Sequence, residues 1–525
     1  MALANFLGKS ALSASLVLKD FNYENFKQIL LSHRIRICFD KKTIASNEGF
    51  ATVDLLVRLL SRLYPNLNLQ CTDGSSPECD HLSEQALAIN PEIDLTELIP
   101  TVVINVGGKE VDFSCLKFYI GSDQWLAKFS LIKPQLSGHS NNRFGAGAAA
   151  CFAAANLFRH VFSDQLPGKI DQDFIYSVFN GSIQDEAIQG PVIKTISLED
   201  TVLIGLGAIG NGVAWALTEL PISGSLHAVD GERIDLSNLQ RYVLAVQNDI
   251  NQQKSTVIKR YLNQNDVNTY PLNFDEYLLK RGNHYIFRCV VCVDTAEDRR
   301  MVQGSLPKKL INAWTQQEQC GVSRHFDFIN EPCLACLYHP VKEQKSLPMK
   351  IAESLGLSAG PHILMVRDYM AKYRTVDIPL IQLIAGVKGI APSSLLPYVG
   401  KSLNVFYSEV ICGGVMIQLT GGTQQEAAEV PAAFESAMAG ILLAAELVID
   451  CAQLSNHKPA TIHKLNLLRP ITRYTYDAVN KFQTPDCICH DDVYCNQYIE
   501  KWNNKPKARS HTTSDQVPFS HSHTI

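Results

Sequence analysis

The sequence predicts an α/β protein built from two successive blocks in which β-rich runs alternate with helical ones. The first block rests on RIRICFD (34–40), TVVINVG (101–107) and CLKFYIG (115–121). Between them, ATVDLLVRLLSRLYP (51–65) repeats apolar residues at helical spacing, with Leu55, Leu59, Leu60 and Leu63 on one face. GAGAAACFAAANLFRHVF (145–162) is alanine-rich and apolar nearly all round, the pattern of a buried helix. The second block opens at DTVLIGLGAIGNGVAWAL (200–217). Strands recur at GSLHAVD (224–230), NTYPLNF (268–274) and IFRCVVCVD (286–294), with a helix near 251–263. Helical periodicity returns at VPAAFESAMAGILLAAELVIDCA (430–452).

The length of 525 residues allows about three domains and requires at least two. The expected division is an α/β domain over 1–195, a second over 196–340 and 405–495, an inserted crossover segment of mixed structure over 341–404, and a disordered polar tail over 504–525. With 46% apolar and 19% charged residues, whole-chain disorder and collagen-like or mucin-like character are excluded. Lysine plus arginine is 47 against 52 aspartate plus glutamate, so no bulk basic field exists to hold nucleic acid. No run of 18 apolar residues occurs and the start has no basic segment before its short apolar run, so neither membrane span nor signal peptide is expected. Of the 15 cysteines, Cys38, Cys115, Cys151, Cys289, Cys292 and Cys451 sit inside apolar runs, the usage of free thiols in a reducing, cytoplasmic compartment.

Gly205-Leu-Gly207-Ala-Ile-Gly210 follows the strand TVLI and opens a helix. Such glycines permit a tight turn and close approach of backbone amides to phosphate. Asp230 ends the next strand, 20 residues after Gly210, suitably placed for ribose hydroxyls. These residues alone fit an NAD-dependent dehydrogenase as well as any other nucleotide site.

The residues that follow separate the readings. D-G-E-R-I-D-L-S-N-L-Q-R (230–241) brings Glu232, Asn238 and Arg241; Lys254 comes next, and V-C-V-D-T-A-E-D-R-R places Asp294 at a strand end. This order resembles the ThiF/HesA and ubiquitin-activating enzyme family over about 200–340 and again over 405–495. Two departures are D-G-E in place of D-x-D, and Tyr242 in place of a glutamine. The resemblance implies a Rossmann-like ThiF-type adenylation domain. It implies ATP and Mg²⁺, with Arg241 and Lys254 on the triphosphate, Asn238 on phosphate or ribose, Asp230 on the ribose and Asp294 on Mg²⁺. It also implies a ubiquitin-like protein with a C-terminal glycine as substrate, and a conjugating-type enzyme that receives the product. Family members are dimers or pseudo-dimers, so 1–195 would be a degenerate, inactive adenylation-like half; a homodimer is also allowed for. Arg143 could reach the other half's ATP site or stand solvated at a helix start.

Cys333 and Cys336 form a CxxC, and Cys487 and Cys489 form a CxC far downstream, with His490 and Cys495 nearby. Four thiolates in two close pairs suit a structural zinc without part in catalysis. The CxC spacing strains simultaneous use of both its thiols, so His490 or Cys495 could replace one ligand. Cys412, in Y-S-E-V-I-C-G-G, precedes the P-A-A-F-E-S-A-M-A-G-I helix, where compact ubiquitin-like activators carry their nucleophile; glycines after it would permit a mobile loop. Cys320 is the alternative thiol. The rival functions are a sulfur-carrier adenylyltransferase without a thioester step, an NAD-dependent dehydrogenase, and an inactive scaffold that binds a ubiquitin fold.

Overall fold

The computed structural model describes residues 3–262, 266–282, 284–316, 319–340, 345–358, 360–421, 430–455, 460–472 and 476–503. The expected disordered tail, 504–525, lies outside them. Short runs rich in β-branched and aromatic residues form the front sheet. Its strands are β1 (Ile35–Phe39), β2 (Leu67–Cys71), β3 (Val102–Val106), β4 (Leu116–Asp123), β5 (Leu126–Ser130) and β6 (Phe174–Ser177), in the order β2-β1-β3-β4-β5-β6. β1 to β4 pair in parallel, while β5 and β6 run antiparallel. β1 and β3 bury every residue, as strands covered on both faces must.

The rear sheet comprises β7 (Ile196–Ile204), β8 (Ile222–Val229), β9 (Asp266–Tyr270), β10 (Arg288–Val291), β11 (Lys309–Gln316), β12 (Gln319–His325), β13 (Ile462–Asn466) and β14 (Tyr476–Val479). Their order is β14-β13-β12-β11-β10-β7-β8-β9. β9 stops short of the expected 268–274 run because Pro271 lacks an N–H for the ladder. A helix then starts at Phe274, where the Asn273 N–H donates to Glu276 at 2.9 Å.

Six rear strands, β8-β7-β10-β11-β12-β13, repeat the front sheet's order and directions strand for strand. In each half a helix follows the first strand (Asn47–Leu60 in front, Ala208–Leu217 behind), and a long buried helix precedes the sixth (Phe144–Val161, Ala433–Cys451). The chain therefore consists of two successive α/β domains built on one strand order. The four helices pack in the row 47–60, 144–161, 433–451, 208–217 and merge the halves into one apolar core. The indole N–H of Trp215, on the rear side, donates to the buried Asp54 carboxylate of the front half at 2.8 Å. The two rear helices touch through glycine: a Cβ on Gly440 would stand 2.7 Å from the Gly212 Cα.

The inserted segment differs from its expected mixed structure. Every regular element described between Leu347 and Thr420 is helical, around a separate core running from Ile351 to Met416. The prolines that break the sequence rhythm stand at helix starts: Pro348, Pro379 and Pro392 occupy first-turn positions, where the missing N–H is harmless. The insert's core also reaches past residue 404, since Phe406, Val410 and Ile411 belong to it. Among the described residues no helix is long and apolar enough to cross a membrane.

Candidate active site

β7 ends at Ile204 and the chain turns through Gly205 into the Ala208–Leu217 helix. Gly205 has φ +86°, a left-handed backbone that glycine enters freely, and a Cβ there would lie 2.9 Å from the Cys292 carbonyl group. The helix carries no side-chain cap at Gly207, which leaves its first amides for an anion. The turn forms one wall of a cleft of about 1440 Å³. That exceeds the usual small-molecule pocket, leaving room for a nucleotide and a peptide end together. Gly205, Gly207, Asp230, Glu232, Asn238, Arg241, Lys254, Asp294 and Cys412 all line it. Gly210 sits one step back inside the helix.

The Asp230 carboxylate accepts the Leu206 N–H at 2.7 Å and the Glu232 N–H at 2.8 Å, which ties the glycine turn to the end of β8. Burial raises its pKa, outweighing those bonds and the nearby Lys254. Lys254 is itself buried. Its ammonium pairs with the exposed Glu232 carboxylate, lies 3.9 Å from Asp230, and stands 5.3 Å over the Tyr242 ring. Burial pulls its pKa down, but Tyr242, Asp230 and Glu232 together more than reverse this and hold it charged. The two departures from the family pattern are thus both in contact with Lys254: Glu232 as its partner, Tyr242 as its floor.

Asn238 accepts the Asp235 N–H through its side-chain oxygen at 3.0 Å, closing the short helix Leu236–Gln240 and leaving its amide NH₂ for the cleft. Arg241 follows at once, and its buried Nη1 has no hydrogen-bond partner among the described residues. A buried guanidinium nitrogen without an acceptor asks for an anion. Sequence reasoning missed a third cation, Lys9. It belongs to the helix Leu7–Ser15 of the front half, is buried, lines the same cleft, and donates to the Cys412 carbonyl oxygen. Burial and the neighbouring Arg241 pull its pKa down to about 7. One signal was present: a lysine in a helix otherwise made of small and apolar residues.

Cys412 ends a π-helical turn, Tyr407–Cys412, and is followed by Gly413, Gly414 at φ +84° and the helix Val415–Thr420. It therefore sits on the helical insert rather than on the expected mobile loop, half-buried at the cleft wall. Cys320 is buried within β12, where burial pushes its thiol pKa well up. Arg143 lines no part of the cleft; it pairs with Glu219 at 3.3 Å over the Trp215 ring. It is neither solvated nor in reach of the site.

The front half has no glycine turn at the equivalent place. After β1 the chain reads Asp40-Lys41-Lys42-Thr43 where the rear has its glycine turn. Asp40 accepts the Thr43 N–H at 2.7 Å, and Asp73, beyond β2 as Asp230 is beyond β8, accepts the Lys41 N–H at 3.0 Å. Asp40 thus caps a helix amide where Gly207 leaves the rear helix uncapped, while Asp73 repeats the bond that Asp230 makes to Leu206.

Cys333, Cys336, Cys487 and Cys489 converge with their sulfurs within 4.8 Å of one another. Adjacent Sγ atoms lie 3.4 to 3.9 Å apart. Four thiolates at about 2.3 Å from a tetrahedral zinc would be about 3.8 Å apart, so the set fits that ion. Both members of the CxC pair take part. The alternatives His490 and Cys495 lie outside this group: Cys495 donates to the Cys489 carbonyl oxygen at 3.4 Å, and His490 is exposed.

Comparison with known proteins gives two family matches. A model described as "ThiF family" matches residues 182–487, and one described as "Prokaryotic E2 family C" matches residues 38–163. The uncharacterized protein y4jF of Sinorhizobium fredii (strain NBRC 101917 / NGR234) is 38% identical over 521 residues, 98% of this chain and 100% of that one. Among solved structures, E. coli MccB with MccA-N7isoASN shares 16% identity over 55% of this chain and 66% of its own, with TM-score 0.33. The microcin C7 biosynthetic enzyme MccB in complex with N-formylated MccA shares 14% identity over 56% and 66%, with TM-score 0.33.

Proposed function

Because this chain belongs to the ThiF family, we propose that it activates the C-terminal carboxylate of a ubiquitin-like protein with ATP and passes the acyl group to Cys412. The observation that carries the reading is convergence. Residues from Gly205 to Asp294, the cysteine on the insert and a lysine from the front half all line one cleft.

The carboxylate oxygen attacks the α-phosphorus of ATP and pyrophosphate leaves. Both partners are anions, so neutralisation and alignment dominate the barrier. Lys9, Arg241 and Lys254 supply the cations, the uncapped helix at Gly207 supplies amides, and Asp230 faces the ribose. Asp294 would hold Mg²⁺, which supplies further neutralisation of phosphate charge. The Cys412 thiolate then attacks the acyl carbon and AMP leaves, giving a thioester that a conjugating-type enzyme receives. The four-cysteine cluster would hold a structural zinc that ties the Cys333–Cys336 segment to the C-terminal one, apart from the chemistry. The front half would be an inactive partner, its helix start capped by Asp40 where the rear helix is left open at Gly207. The match of residues 38–163 to a family described as Prokaryotic E2 supports ubiquitin-like conjugation over sulfur-carrier activation.

The test is ATP–pyrophosphate exchange with candidate ubiquitin-fold proteins from neighbouring genes. Exchange without a thiol-sensitive adduct selects sulfur-carrier activation. Nicotinamide reduction without exchange selects the dehydrogenase.

A further inference from the structure

Residues 239–245 carry Arg241 and Tyr242 into the cleft, yet they are held from the other half of the molecule. Arg62, just beyond the front helix Asn47–Leu60, donates to the carbonyl oxygens of Leu239 at 3.0 Å, Tyr242 at 2.7 Å and Ala245 at 2.9 Å. Arg58, on the same helix, donates to Val243 at 3.1 Å. From the rear side Asn211, in the glycine-turn helix, accepts the Leu244 N–H at 3.1 Å and donates to the Leu206 and Gly207 carbonyls. The segment is clamped between the two halves, with Val243, Leu244 and Ala245 completely buried.

Arg58 has a carboxylate partner, Asp54 at 2.8 Å. Arg62 has none among the described residues: it is 1% exposed and spends its charge on backbone carbonyls. Burying a guanidinium without a counter-ion is costly, and a fork of N–H donors set across three carbonyls fixes backbone geometry more tightly than a single bond would. The carbonyls it fixes flank Arg241, whose own Nη1 is buried and without a partner among the described residues, and one of them belongs to Tyr242, whose ring underlies Lys254.

From this geometry we infer that Arg62 is a positioning residue for the nucleotide site: the front half, though it has no phosphate turn of its own, sets the backbone that aims Arg241 and Tyr242 at the polyphosphate. This rests on the reading of Arg241 as a phosphate ligand, and the experiment separates the two. The variants are Arg62→Met, Arg62→Lys, Arg241→Ala and, as a control, Arg159→Met. Arg159 is an equally buried front-half arginine, paired with Asp171 and remote from the cleft segment. Mg·ATP affinity of the full chain is measured by calorimetry, with melting temperature and amide hydrogen exchange of residues 239–245.

Arg62→Met should weaken Mg·ATP binding about tenfold or more and speed exchange in 239–245, while Arg62→Lys, which reaches fewer carbonyls, falls between. Arg159→Met should lower the melting temperature and leave the affinity unchanged. If Arg62→Met does not fold, Arg62→Lys is judged by the same comparison with Arg159→Met. Wild-type affinity in the Arg62 variants with Arg241→Ala impaired would overturn the inference. So would an affinity loss that Arg159→Met reproduces at equal loss of stability. Wild-type affinity in Arg241→Ala would instead overturn the phosphate reading itself.

Discussion

The ammonium of Lys9 donates to the carbonyl oxygen of Cys412, 403 residues later in the chain, so the first helix of the front half touches the segment that bears the cleft thiol. The contact is reinforced by backbone. A Cβ on Gly414 would lie 2.1 Å from the Gly8 carbonyl oxygen, so glycine there lets the two segments meet. The same lysine lies near Arg241, which links the thiol segment, the front half and the nucleotide turn at one point.

Lys9 should make nucleotide binding pH-dependent. Burial and Arg241 bring its pKa from 10.5 down to about 7. A bound polyphosphate favours the ammonium, so binding should take up a proton above pH 7, and affinity should fall as pH rises from there. For stability, the folded value is the lower one, so the unfolded chain binds more protons between pH 7 and 10.5. This group's contribution therefore makes stability rise with pH across that window. Lys9→Met should abolish the proton uptake, read by calorimetry in buffers of different ionisation enthalpy, and flatten that rise. Unchanged uptake in the variant would place the titrating group elsewhere.

Asp294 stands at the cleft beyond β10, and its carbonyl oxygen, not its carboxylate, is taken by Arg299 at 3.0 Å. Asp294→Ala should slow ATP–pyrophosphate exchange by about 100-fold or more, since triphosphate charge is left uncompensated. Its melting temperature should match the wild type. Wild-type exchange rates would remove Asp294 from the site.

The cysteine cluster should yield one zinc per chain in elemental analysis. Cys333→Ser should lower the melting temperature by roughly 5 °C or more, because structural zinc contributes directly to folding. His490→Ala should change neither metal content nor stability. Metal-free protein of full stability would return the four thiols to an ordinary buried cluster.

Cys412→Ala should keep ATP–pyrophosphate exchange and lose the covalent, thiol-sensitive adduct with the carrier protein. Adenylation needs no thiol, so the half-reactions separate. An adduct that persists in this variant would implicate another cysteine. Cys320 is poorly placed for it, buried in β12 with its thiol pKa raised.

What the sequence determined alone is everything encoded over short stretches. Alternating β-rich and helical runs specify the α/β class because strand and helix periods are local properties. Gly205, Gly207, Asp230, Arg241 and Lys254 stand within about fifty residues in fixed order, so the set that lines the cleft was legible. The four cysteines were legible because metal-type pairs carry their spacing with them. Only the tertiary structure decided the rest. Cys320 and Cys412 look alike as letters; one lies in the middle of a buried strand and the other at a cleft wall, a difference made by packing. The prolines of the insert read as interruptions until their first-turn positions were seen. Lys9 and Arg62 bear no motif at all, because each binds backbone carbonyls. A carbonyl is the same at every residue, so the sequence does not say which one a side chain meets; only the fold brings Arg62 to Leu239, 177 positions away.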